Sequence, residues 1–124
     1  MAEEIKKHLQ DILNKIDGLQ CILFTDRDGV PLLKVNTEKV PESVVKPSFI
    51  STFCLAIDQG SKLGLGRTSN LICIYSQHQI VQMNKLPIII TFVASENCNT
   101  GQILALEKQL DSVVGVLTST VAET

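Results

Sequence analysis

The sequence predicts an α/β (α+β) fold, a five-stranded, mostly antiparallel sheet flanked by helices in the order α-β-β-α-β-β-β-α. Three observations carry that prediction. Amphipathic stripes of helical spacing open and close the chain. An Asp-Gly turn joins two short apolar runs near the start. Three more apolar runs, split by short polar turns, follow a second helical segment. At 124 residues the whole chain, 1–124, makes one domain with one core.

The first helix follows from Ile5, Leu9, Ile12, Leu13 and Ile16, which trace one stripe while Glu4, Lys7, Gln10 and Asp11 lie elsewhere on the cylinder. Gly18 ends it. Leu19 to Thr25 then reads as a strand, Asp26-Arg27-Asp28-Gly29 as a turn, and Val30 to Val35 as the returning strand. Pro31 cannot donate to a ladder and places that second strand at an edge. Asn36 to Pro47, with two prolines and several charges, reads as a surface loop. Ser48 is the expected cap of a second helix ending near Gly60.

Three strands follow, at Leu71–Tyr75, Ile80–Met83 and Ile88–Val93. The first is apolar at every position, and such a strand needs cover on both faces. A single long helix closes the chain, capped by Asn99 with Gln102 and buried along Ile103, Leu106, Leu110, Val113, Val114, Leu117 and Val121.

Composition excludes several classes of function. The net charge is -2, and Lys and Arg are scattered from Lys6 to Lys108, without the cation cluster that nucleic acid or a polybasic membrane patch requires. The acidic start Met1-Ala2-Glu3-Glu4 is unlike a signal peptide, and no apolar run approaches the ~20 residues of a membrane span. Cys21, Cys54, Cys73 and Cys98 form no C-x-x-C pair, which points to reduced thiols packed as small hydrophobes, with no metal and no cofactor. His8 and His78 have no Cys, Ser or carboxylate at motif spacing, so no catalytic residue is assigned. The Gly60–Gly66 stretch follows a helix, the wrong end for a phosphate loop. Asp26-Arg27-Asp28-Gly29 lacks the later ligands of a calcium loop.

The informative features are apolar. Hydrophobic residues make up 44% of the chain, and mean hydropathy is +0.22. In the second helix, Phe49, Ile50, Phe53, Cys54, Ala56 and Ile57 span an arc of roughly 160°, wider than one sheet needs, with Leu55 outside it. One part of that arc is expected on the chain's own sheet and the rest on a partner. Leu71, Cys73 and Tyr75 belong to a strand with no Pro, Lys or bulge to guard an edge. These nine residues form the predicted partner-binding set, and Phe53→Asp is the substitution expected to break it.

Thr25-Asp26-Arg27-Asp28-Gly29-Val30-Pro31, Ser51-Thr52-Phe53, Asp58-Gln59-Gly60-Ser61-Lys62-Leu63-Gly64-Leu65, Gln82-Met83-Asn84-Lys85-Leu86-Pro87 and Asn99-Thr100-Gly101, with the element order, make the chain resemble the roadblock/longin-like family over nearly its whole length. The resemblance implies a non-catalytic adaptor that forms a heterodimer with a second roadblock-domain subunit, the central helix and third strand of each meeting across a pseudo-two-fold. It further implies membership of a Ragulator-type complex held by a lipidated anchor subunit on the cytoplasmic face of late endosomes and lysosomes, with a cytosolic pool. Rag GTPases, in amino-acid signalling to mTORC1, and the kinases MEK and ERK are the implied partners. The alternative is a small-ligand-binding sensor or regulator of longin/PAS-like layout, which needs polar groups converging in a cavity.

Overall fold

Leu9, Ile12 and Leu13 bury one face of the first helix, with Ile5 and Ile16 at its margins, as the spacing predicts. The computed structural model describes residues 2–37, 40 and 46–122. The elements are α1 (Ala2–Lys15), β1 (Leu19–Thr25), β2 (Pro31–Asn36), α2 (Pro47–Gly60), β3 (Asn70–Ile74), β4 (His78–Lys85), β5 (Ile88–Ser95), α3 (Thr100–Leu104) and α4 (Glu107–Ala122). The five strands form one sheet in the order β2-β1-β5-β4-β3, antiparallel at every pairing.

The sheet separates two cores. On one face α1, α3 and α4 cover Ile22, Phe24, Val81, Met83, Ile90 and Phe92. On the other, α2 covers Cys21, Leu23, Ile80, Ile89 and Val93. Central strands β1 and β5 are therefore buried on both faces, which explains their lack of alternation.

Local signals behave as the sequence suggests at several turns. Asp26 Oδ1 accepts the amides of Asp28 (2.9 Å) and Val30 (3.0 Å), and Gly29 takes φ 88°. That carboxylate is engaged by the turn itself. Gly18 has φ 89° and ends α1 where Ser95 N–H donates to its carbonyl. Asn99 Oδ1 accepts from Gln102 N–H at 3.3 Å, as expected of the cap.

Three expectations are corrected. The long closing helix is broken: Ala105 caps α3, and Leu106 N–H donates to the Ile103 carbonyl at 3.0 Å, a tightened turn before α4 begins. The break lets Ile103, Leu106 and Leu110 all face the sheet. At α2, Lys46 holds the cap position without a side-chain bond and Pro47 is the first helical residue, where a missing N–H costs nothing. Ser48 lies inside the helix, its carbonyl accepting from Ser51 Oγ and Thr52 Oγ1. His78, which the expected strands Leu71–Tyr75 and Ile80–Met83 leave in the turn between them, opens β4. Of the predicted loop over 36–47, residues 38, 39 and 41–45 lie outside the described residues.

Polar side chains dock the last helices. Gln79 Nε2 donates to the carbonyls of Ser95 (3.1 Å) and Cys98 (2.8 Å), and Thr100 Oγ1 donates to Gln79 Oε1. Lys85 Nζ pairs with the Glu107 carboxylate and lies 3.9 Å from Asp111.

Candidate partner interface

The two edges of the sheet are unequal. β2 begins at Pro31, carries Lys34, shifts register against β1 between Phe24 and Thr25, and lies under α1. Each of these blunts an edge. β3 has neither Pro nor Lys, and its pairing with β4 runs without a register shift from Asn70 to Ile74.

The direction of its free backbone groups follows from two bonds. Tyr75 N–H donates to the His78 carbonyl (2.7 Å), and Asn84 N–H donates to the Ser69 carbonyl (2.8 Å). Hydrogen-bonded pairs alternate along an antiparallel ladder. Leu71 and Cys73 therefore turn their amides toward β4, whereas Asn70, Ile72 and Ile74 point N–H and C=O outward.

Side chains alternate as well. Leu71 and Cys73 are half-buried against the α2 core. Ile72 and Ile74 project from the opposite face, 42% and 75% exposed. The reason is coverage: among the described residues α1 packs over β1 and β2, and α4 over β5, and Ile72 and Ile74 stay exposed on that side. Tyr75, just past the strand, is exposed.

The predicted α2 set divides. Ile50, Phe53, Cys54 and Ile57 are buried on the chain's own sheet. They do not form a second uncovered face, which corrects the reading of the arc. Phe53→Asp would therefore disturb the core before it disturbed any partner. Phe49 is half-buried, its ring centroid 4.9 Å from that of Phe53, and Ala56 is exposed. On the opposite flank Asp58 lies 3.8 Å from Arg27 of the β1–β2 turn, and Cys54 and Leu55 border the same hollow. Phe49, Thr52 and Ala56 are thus turned the other way, toward the β3 edge. A continuous strip results, made of the Phe49–Ala56 flank of α2 and the β3 edge. Ile72 and Ile74 are its residues that sequence reasoning missed. The expected strand Leu71–Tyr75 is apolar at every position, so its sequence does not mark which parity faces the protein's own helix.

The remaining candidates do not assemble a reactive site. Burial pushes the Cys21 thiol up to about 11, and raises those of Cys54, Cys73 and Cys98 above their ordinary value. The Asp58 carboxylate adds to the effect at Cys54. All four are protonated near neutral pH and weak as nucleophiles. Neither imidazole receives a hydrogen bond or ion pair among the described residues: His8 stands exposed on α1, and His78 starts β4. Among the described residues no three metal-ligating side chains converge. The hollows between α1 and Leu106, and at the Gly18 corner, are open surface depressions of about 250 and 400 Å³. No described helix is long and apolar enough to cross a membrane.

Comparison with known proteins agrees with this fold. The family described as "Mitogen-activated protein kinase kinase 1 interacting" matches residues 3–121. A Ragulator complex protein LAMTOR3 homolog of Drosophila melanogaster is 55% identical over 99% of each chain. Ragulator complex protein LAMTOR3 of Pagrus major is 48% identical over the full length of both. Among solved structures, a Roadblock/LC7 domain from Streptomyces avermitilis superposes with a TM-score of 0.66 over 85% of this chain and 92% of that one, at 7% identity. The last likeness is one of fold. The relatives' names are those of complex subunits, not of enzymes.

Proposed function

Because this chain belongs to the mitogen-activated protein kinase kinase 1 interacting family, we propose that it is a scaffold subunit that heterodimerises with a second roadblock-domain protein inside a Ragulator-type complex. The β3 edges of the two subunits pair, so that two sheets become one, and the Phe49, Thr52 and Ala56 flanks of α2 meet beside the seam. The dimer is held on the cytoplasmic face of late endosomes and lysosomes by a lipidated anchor subunit. There it helps recruit Rag GTPases for amino-acid signalling to mTORC1 and holds MEK and ERK.

The observation that carries this reading is the unguarded β3 edge, whose outward amides and exposed Ile72 and Ile74 have no cover among the described residues. The names of the relatives support the complex, and the family's description supports the kinase. The mechanism is colocalisation. Two clients held on one rigid body meet at an effective concentration of up to about millimolar, without any reactive group.

Sedimentation velocity of the chain, alone and mixed with a second roadblock subunit, tests it. The mixture is expected to form a 1:1 complex at micromolar concentration, and Ile72→Lys/Ile74→Lys to abolish it while leaving the melting temperature of the lone chain unchanged. A double variant that binds with wild-type affinity would overturn the assignment of this edge.

A further inference from the structure

We propose that the loop joining α2 to β3 is a membrane-contacting tip that docks on an anionic lipid surface. Its base is built. Ser61 Oγ donates to the Ile57 carbonyl (3.1 Å) and lies 3.2 Å from Thr68 Oγ1, and Thr68 N–H donates to Ser61 Oγ at 3.0 Å. Asn84 Nδ2 of β4 holds the Thr68 carbonyl at 2.8 Å. Gly60 completes the clamp, since a Cβ there would lie 2.6 Å from Thr68 Oγ1.

The tip, residues 62–67, contrasts with this base. Leu63 and Leu65 are 72% and 87% exposed. Gly64 and Gly66 take φ 80° and 93°, and an added Cβ would meet nothing at either within 4 Å. Among the described residues no hydrogen bond joins Gly64 to Arg67 with the body of the domain. Two leucines are thus held in water by a loop whose ends are fixed.

Charge selects the occupant. Lys62 and Arg67 stand at the shoulders of the tip, both exposed and without an ion pair among the described residues. No Asp or Glu occurs between Gln59 and Ser95. A narrow apolar apex with cations on both sides fits the polarity of a bilayer interface, where leucines enter the acyl boundary and cations stay among anionic headgroups. A protein pocket would need a matching concavity; a bilayer accepts any protruding tip. The tip shares no residue with the β3–α2 strip, so this inference does not depend on the heterodimer.

Vesicle flotation of the full chain, with hydrogen exchange on the bound fraction, tests it. Replacing roughly 30% of phosphatidylcholine by phosphatidylserine is expected to raise partition about 25-fold, fivefold for each cation. The same change should slow exchange of amides 62–67 while leaving β4 and β5 unaltered. Lys62→Gln/Arg67→Gln should cancel the rise. Leu63→Ser/Leu65→Ser should remove the protection, and both double variants should melt like wild type because these side chains are exposed. Equal partition on the two vesicles, or wild-type protection in the leucine variant, overturns the proposal. So does protection of 62–67 by a second roadblock subunit without lipid, which assigns the tip to a protein contact.

Discussion

Proline scanning of β3 separates its two sets of amides. Cys73→Pro removes an N–H from the ladder to β4 and leaves the carbonyl of buried Ile80 without its donor. An orphaned buried acceptor costs about 1–3 kcal/mol. For a chain of this length that lowers the melting temperature by roughly 5–15 °C. Ile72→Pro keeps every ladder bond, because its amide points away from β4, and the side chain it deletes is already 42% exposed. Edge strands tolerate proline with its ring nitrogen toward solvent, so the shift should stay under roughly 5 °C. Binding should show the reverse order of selectivity. Ile72→Pro deletes a donor from the proposed seam, costing at least about 1 kcal/mol, or fivefold in Kd, before any clash of the ring. Thermal melts of the lone chain, followed by calorimetric titration with a second roadblock subunit, read both effects. Equal destabilisation by the two prolines would refute the phase assigned to the ladder. A stable Ile72→Pro chain with wild-type affinity would refute the seam.

Other substitutions test the fold. Gly18→Ala should destabilise by about 1–2 kcal/mol in urea denaturation, since the backbone is left-handed there and a Cβ would lie 2.7 Å from Ser95 Oγ and 3.0 Å from Cys98 Cβ. Gly115→Ala should stabilise by up to about 1 kcal/mol, because the position is helical, exposed and open around an added Cβ. Burial raises the Cys21 thiol from 9.0 to about 11, so the unfolded chain loses that proton first. Its contribution to stability is complete below pH 9.0 and falls as pH rises toward about 11. Urea midpoints across that window should fall less steeply for Cys21→Ala than for wild type.

The character of the two edge strands was readable from residues alone. The absence of Pro, Lys and bulge from Leu71–Tyr75 marked an unguarded strand, and Pro31 marked the guarded one; both are edges in the structure. The composition of α2 signalled more apolar surface than its length suggests, yet most of it is used internally. Phe53 and Cys54 point at the sheet because α2 covers apolar side chains of β1, β4 and β5 together, a surface wide enough to accept residues from a wide arc. No periodicity in the helix encodes the width of the surface beneath it. The broken closing helix was hidden for a similar reason. Its apolar spacing continues through Ala105, and only docking on the sheet favours the tightened turn.

Sequence by itself determined the element order, the Asp26–Gly29 turn, the Gly18 stop, the Asn99 cap and which strand carries its own protection. These depend on backbone preferences and hydrogen bonds reaching only a few residues. The tertiary structure alone decided that β3 is the other edge, that Ile72 and Ile74 face outward while Leu71 and Cys73 face α2, and that Ser61 and Thr68 clamp an exposed loop. Each depends on contacts between segments distant along the chain, and on which surfaces three helices happen to leave uncovered, a quantity that no local pattern contains.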